Sequence, residues 1–115
     1  MRVGVWGFAF GVVLVVGAVA GTDAFAADAP RGQSIANGNA CMGCHAVDRK
    51  LVGPSFQQIA AKYKGDPQAE AKLVRKVKEG GAGVWGMIPM PAHQSMSDAD
   101  VRTVVEWVLA GAPGR

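Results

Sequence analysis

The chain has 115 residues, a length that suits one domain better than two. Its 12 Lys and Arg residues against 9 Asp and Glu residues give a net charge of +3. This mild excess suits a docking face for acidic partners, and we expect no nucleic-acid binding. The two cysteines lie so close in the sequence that a disulfide between them would constrain little chain, so they need another purpose.

The N-terminus has the pattern of a secretory signal peptide. Arg2 precedes an uncharged run over residues 3–21, and Ala24-Phe25-Ala26 forms a small-x-small exit. We expect residues 1–26 to be the leader and 27–115 the mature domain, with no stable membrane insertion after cleavage. The alternative is a retained membrane anchor, because the uncharged run is nearly long enough to span a bilayer. The well-formed exit favours cleavage.

Glycines, prolines and capping residues divide the mature part into short helices. Residues 31–40 predict a weak first helix, in which two glycines lower the propensity. Residues 54–63 predict a short second helix. Asp66 is an N-cap candidate followed by Pro67 at the first helical position, which predicts a third helix from there to about Glu79.

The last predicted helix begins after Ser97, and Gly111 ends it. Between the third and last helices, residues 80–94 are rich in glycine and proline and predict a long loop. Long loops in a compact domain usually serve a function. No segment alternates as a strand, so we expect an all-α fold of about four short helices.

The chemistry is concentrated in one motif, Cys41-Met42-Gly43-Cys44-His45. C-x-x-C-H is the attachment signal for c-type haem, because two thiols at this spacing can add to the two vinyl groups of one haem edge and place an imidazole beneath the ring. A thioredoxin-like pair would need a βαβ context, and a zinc site would need four ligands. With His93 the only other histidine, we favour haem over both alternatives and over a chance match.

A haem iron has two axial positions, and His45 is the candidate for one of them. The candidates for the other position all lie downstream: Met87, Met90, His93 and Met96. Met90 leads because Pro89 and Pro91 restrict the backbone on both sides of it. We expect the other two methionines to be packing or surface residues, and His93 to be a solvent-facing loop histidine.

These features resemble the small bacterial class I cytochromes c of the cytochrome c-551 type. The resemblance covers about residues 31–111. It rests on the C-x-x-C-H run and on four further motifs: Leu51-Val52-Gly53-Pro54, Gly83-Val84-Trp85-Gly86, Ile88-Pro89-Met90-Pro91 and Trp107-Val108-Leu109. It implies the class I cytochrome c fold, with loops wrapped around one haem c that is thioether-linked through Cys41 and Cys44. It further implies a periplasmic, non-enzymatic electron carrier with His/Met iron.

The resemblance also implies roles around the haem. The Pro54 carbonyl would accept the second ring N–H of His45, and Trp85 would bond a haem propionate. Lys76 stands where the family has a propionate-binding arginine and would offer a point charge instead of a planar fork. Ala36 stands where the family has an aromatic residue, from which we expect a looser contact between the first and last helices.

Three functions follow from these expectations. The first is a soluble single-electron carrier that serves redox protein partners in a respiratory chain. The second is the haem subunit of a periplasmic oxidoreductase complex that receives electrons from a catalytic partner. The third, an enzyme or gas sensor with an open haem, would require that Met90 not bind iron. A cluster of Lys72, Arg75, Lys76 and Lys78 on the third helix predicts either a docking face or an ordinary solvated face.

Overall fold

The computed structural model describes residues 24–114, with side chains from Arg31 onward, together with Gly4 and Gly17. The predicted leader lies outside the described residues except for those two glycines and residues 24–26. Within the described part, no helix is both long and apolar enough to cross a membrane.

The all-α prediction is confirmed for the part of the chain that the structure describes. Its helices are α1 (Ala24–Gly38), α2 (Phe56–Lys62), α3 (Ala69–Glu79) and α4 (Asp98–Leu109), with a 3-10 helix over Cys41–Gly43. Over residues 24–114 the only β pairing consists of two isolated bridges, His45 with Lys50 and Gly81 with Met90. Residues 80–94 form the predicted long loop.

Three predicted helix starts are wrong, and one is that of α2, which begins at Phe56, two residues after the predicted residue 54. Helix α1 begins at Ala24, ahead of residue 31 and of the expected cleavage point, and alanine-rich sequence here has a high helix propensity. Helix α3 begins at Ala69 with Gln68 as its N-cap, two residues later than predicted. The Asp66 carboxylate accepts the Gln68 N–H at 2.8 Å and so closes a turn before the helix.

The caps of α2 and α4 explain where those helices begin. Ser55 and Gln58 form a reciprocal capping box, in which each side chain accepts the backbone N–H of the other residue at 2.9 to 3.0 Å. Ser97 caps α4 by accepting the Asp100 N–H at 3.1 Å, as predicted. Gly111 follows α4 with a φ of 94°, a conformation that favours glycine at a helix end.

Helix α4 is the central element, because α1, α2 and α3 all pack against it. Gly32 lies directly on the Trp107 side chain, where a Cβ would overlap the Trp107 Cβ. Ala36 on the next turn of α1 is fully buried. The expectation of a loose contact between the first and last helices is therefore wrong, since small residues on α1 let the two backbones approach closely.

The hydrophobic core forms around the inner face of α4. It contains eleven buried residues, namely Ala36, Phe56, Ile59, Leu73, Met96, Val101, Val104, Val105, Trp107, Val108 and Ala112. Six of them also line a cleft: Phe56, Ile59, Leu73, Val104, Val105 and Val108. One side of the core is thus the wall of the candidate site.

Candidate cofactor site

The cleft has a volume of about 690 Å³ and is bounded by α2, α3, α4 and the long loop. That volume is in the range of binding sites for small molecules and cofactors. The structure brings all seven predicted site residues to it: Cys41, Cys44, His45, Pro54, Lys76, Trp85 and Met90. Residues spread over half the chain thus converge on one concave surface.

The C-x-x-C-H motif begins on the short 3-10 helix over Cys41–Gly43, and Cys44 and His45 follow directly after it. Ala40 enters it with a φ of 59°, and the backbone N–H of His45 donates to the Cys41 carbonyl at 2.9 Å. This tight turn directs both cysteines and His45 to the same cleft. Both thiols are free and half-buried, and burial raises the pKa of the Cys41 thiol.

His45 is oriented by the carbonyl oxygen of Pro54, which lies 2.7 Å from its Nδ1. A carbonyl can only accept a hydrogen bond, so the proton belongs on Nδ1 and the lone pair is left on Nε2. An imidazole fixed in this tautomer is prepared to bind a metal through Nε2. The contact is the one that the resemblance implied for Pro54.

Two further residues hold the His45 ring, and sequence reasoning gave neither of them this role. The ring stacks on Phe56, with centroids 5.3 Å apart and planes inclined by 21°. On another side it lies against Gly53, where a Cβ would be 2.6 Å from the His45 Cε1. The glycine that precedes Pro54 in the motif was the available signal for this close approach. Nothing local marked Phe56 as more than a core residue.

Met90 is half-buried and lies within the long loop, where its backbone is held in place. Its backbone exchanges two hydrogen bonds with Gly81, both 2.9 Å long. Gly80 turns the chain at a φ of 69°, and a Cβ there would overlap the Met90 carbonyl oxygen. The loop is therefore tied to the C-terminal end of α3 at the position that carries the sulfur.

Trp85 and Lys76 lie at the rim of the cleft. Trp85 is 41% exposed, and the ammonium of Lys62 lies 5.5 Å from its ring centroid, within cation–π range. Lys76 is half-buried, and its ammonium lies near Gly81 at the base of the loop. Both side chains can thus offer donors to an anionic group that projects from the cleft.

Of the remaining candidate ligands, the two methionines lie where the sequence predicted and His93 does not. Met87 is 94% exposed and Met96 is buried in the core, as expected of a surface and a packing residue. His93 is not solvent-facing, because it is half-buried and its Nδ1 is enclosed without a hydrogen-bond partner. Its backbone N–H donates to Val77 at 2.9 Å, which draws the ring in beside α3.

The cationic face predicted on α3 is largely engaged in contacts within the molecule. Lys72 forms an ion pair with Asp66 at 2.7 Å, and Lys78 is only 27% exposed and contacts the chain after Met90. Arg75 remains exposed. Arg75 and the half-buried Lys76 are the other two cations of this group, and both the docking face and the ordinary solvated face stay predictions.

The donor set and the cleft fit a covalently held haem. Two free thiols, an imidazole with its lone pair on Nε2 and a thioether all face an apolar wall. In the described residues no three His, Cys, Asp or Glu side chains come together as a group that could hold a metal ion.

A cytochrome c family model matches residues 29–112. The chain belongs to the cytochrome c family. It is similar to cytochrome c-551 of Pseudomonas aeruginosa, with 47% identity over 61% of this chain and 66% of that protein. It is also 46% identical to cytochrome c-551 of Azotobacter vinelandii, over 68% of this chain and 94% of that one. The crystal structure of Nitrosomonas europaea cytochrome c552 superposes with a TM-score of 0.66 at 43% identity, covering 69% of this chain and 98% of the other.

The family assignment confirms the fold and the class of protein expected from the sequence. The fold is that of the class I cytochromes c. Proteins of this family carry covalently bound haem c and transfer electrons, and they are not enzymes.

Proposed function

We propose that this protein is a periplasmic single-electron carrier whose one haem c is linked through Cys41 and Cys44 and ligated by His45 and Met90. The observation that carries the proposal is the 2.7 Å contact from His45 Nδ1 to the Pro54 carbonyl, which leaves Nε2 for the iron. Met90 supports it, because its tethered backbone presents a thioether to the same cleft.

The chain's own residues suit an electron carrier more than an open-haem enzyme. The bound haem supplies a one-electron ferric/ferrous couple, and methionine as an axial ligand raises its potential. Gly53, Pro54 and Phe56 confine the His45 ring on separate sides. With the Met90 backbone also fixed, both ligands keep their positions in the two oxidation states. Trp85 and Lys76 would bind a propionate at the rim.

Export to the periplasm is part of the proposal. It rests on Arg2, the uncharged run and Ala24-Phe25-Ala26. N-terminal sequencing of the purified protein should begin at Ala27. Recovery of an uncleaved chain in the membrane fraction would favour an anchored cytochrome instead.

A second candidate is the haem c subunit of a periplasmic oxidoreductase. Met87 is 94% and Ile88 69% exposed at the mouth of the cleft, an apolar surface that suits a protein partner. Size-exclusion chromatography of the native protein, followed by its haem absorbance, separates the two candidates. A carrier elutes at its monomer size, and a subunit elutes with its partner.

Replacing the proposed sulfur ligand tests the His/Met assignment. Met90→Ala should lower the reduction potential, remove the weak sulfur–iron band of the oxidised protein and admit imidazole or carbon monoxide to the iron. Met87→Ala is the matched control, because Met87 lies on the same loop and is exposed. If Met90→Ala retains the spectrum and potential of the parent, Met90 is not the ligand and the open-haem reading takes precedence.

A further inference from the structure

The chain that follows Met90 runs back along the C-terminal end of α3 before it enters α4. We call residues 91–97 the return segment. Its backbone is attached to α3 once, where the His93 N–H donates to the Val77 carbonyl at 2.9 Å. The Met90 loop therefore has two stems, the Gly81–Met90 backbone pair on one side and the return segment on the other.

One side chain of α3 holds the return segment directly. The Lys78 ammonium donates to the Met96 carbonyl at 2.7 Å and to the Gln94 carbonyl at 3.2 Å. It also forms an ion pair with Asp98 at 3.3 Å. Among residues 31–114, no other α3 side chain hydrogen-bonds to the return segment. Lys78 therefore joins the segment to α3 at two points, and its ion pair with Asp98 reaches the first residue of α4.

The burial of Lys78 shows that this is more than a surface contact. Its side chain is only 27% exposed, whereas the partner carboxylate of Asp98 is 80% exposed. Lysine ammonium groups are strongly hydrated, and withdrawing one from water is costly unless acceptors replace the lost water. Two backbone carbonyls of the return segment supply that replacement beside Asp98, and the ammonium keeps these two acceptors only while the segment lies against α3.

We infer that Lys78 is a positioning residue for the sixth iron ligand. The inference rests on the proposed His/Met ligation. For Met90 to leave the iron by a loop opening, a stem must move away from α3, and freeing the return segment breaks both hydrogen bonds from the Lys78 ammonium to its carbonyls. Lys78 thus lowers the population of molecules in which the sulfur is away from the iron. An added ligand binds only that population, so its apparent affinity reports the opening equilibrium.

The test uses the ferric holoprotein and imidazole as the competing ligand. Lys78→Met retains most of the aliphatic chain and removes the donors. It should raise the apparent affinity for imidazole about tenfold, which corresponds to one hydrogen bond from a charged donor. Lys78→Arg restores charge and donors and should bring the affinity most of the way back to that of the parent. Lys78→Gln is titrated in parallel, so that misfolding of one variant does not end the comparison.

Lys72→Met is the matched control. It removes the same charge from the same helix and breaks the 2.7 Å ion pair with Asp66, whereas no hydrogen bond or ion pair within residues 31–114 joins Lys72 to the return segment. It should leave imidazole affinity within about twofold of the parent, because surface ion pairs contribute little. Urea unfolding of Lys78→Met and Lys72→Met measures their free energies of unfolding, and so separates loop opening from a general loss of stability.

The outcomes distinguish the inference from the function on which it rests. If the parent lacks the sulfur–iron band, the His/Met proposal fails. If the parent has the band and Lys78→Met binds imidazole no more tightly, the inference fails and the function stands. Equal gains in Lys78→Met and Lys72→Met would also overturn the inference, because charge or general destabilisation would then explain the effect.

Discussion

The imidazole of His45 and the phenyl ring of Phe56 stack with centroids 5.3 Å apart and planes inclined by 21°. The Phe56 ring also packs in the hydrophobic core, where it meets Trp107 of α4 edge to face at 5.3 Å. Phe56 thus contacts both the central helix α4 and His45, the proposed iron ligand. One side chain thus contributes both to the packing of α2 against α4 and to the orientation of His45.

Phe56→Ala should disturb both the packing of α2 against α4 and the orientation of His45. Phe56 is only 4% exposed, so truncation should lower the free energy of unfolding by roughly 3–5 kcal/mol, measured by denaturant titration of the holoprotein. Ile59→Ala is the control, because Ile59 is also buried on α2 and lines the cleft. Both variants should lose stability, but only Phe56→Ala should shift the NMR resonances of the His45 ring. Equal shifts in the two variants would contradict a direct role for the stack.

Gly53→Ala should displace His45, the proposed iron ligand, through a contact on another side of its ring. The new Cβ would lie 2.6 Å from His45 Cε1, so the ring must tilt or the backbone must move. Overpacking of this kind costs about 1–3 kcal/mol, and the tilt should also lengthen the bond to Pro54. Gly38→Ala is the control, since a Cβ there meets nothing within 4 Å. Unfolding curves and the exchange rate of the His45 ring N–H measure the effect. Unchanged exchange in Gly53→Ala would show that the ring has room.

Features fixed by neighbouring residues could be predicted from the sequence. The C-x-x-C-H run, the capping by Ser97 and the stop at Gly111 are local, and the structure contains all three. Met90 was preferred among the methionines because of its flanking prolines, and it does line the cleft. Its role as a ligand remains a prediction.

Features that depend on distant parts of the chain could not be predicted. His93 was expected in solvent, yet its backbone bond to Val77 places it beside α3. Lys78 was expected on a docking face or an ordinary solvated face, yet its ammonium binds carbonyls of the return segment. Neither contact leaves a periodic or capping signal, because each partner is more than ten residues away. Asp66 was misjudged for a local reason, since an aspartate before proline serves a turn as readily as a helix cap.

The protein should need its haem to fold. Six core residues also form the wall of the cleft, so without haem one side of the core faces water. The remaining burial cannot offset an ordering cost of roughly 1–2 kcal/mol per residue in so small a domain. A Cys41→Ser, Cys44→Ser double variant lacking haem should therefore be largely unfolded by circular dichroism. A cooperative thermal transition in that variant would show that the polypeptide folds alone.

Electron exchange should take place through an apolar surface at the mouth of the cleft. We call this surface the apolar rim. Its five residues line the cleft and are 41–94% exposed: Leu51, Val52, Val84, Met87 and Ile88. Two cations of α3, Lys72 and Lys78, make contacts within the molecule. Burial of the rim against a partner would exclude water between the two redox centres.

Met87→Asp should therefore slow electron self-exchange, which can be measured by NMR in mixtures of the oxidised and reduced protein without knowledge of the natural partner. When two rims meet, the variant places like charges in a desolvated contact, so the rate should fall at least about tenfold and recover partly at high salt. Met87→Leu keeps the surface apolar and should keep the rate. Ser34→Asp adds the same charge at an exposed site on α1 that does not line the cleft, and should change the rate little. If the two aspartate variants slow exchange equally, net charge governs the encounter and the apolar rim is not the contact surface.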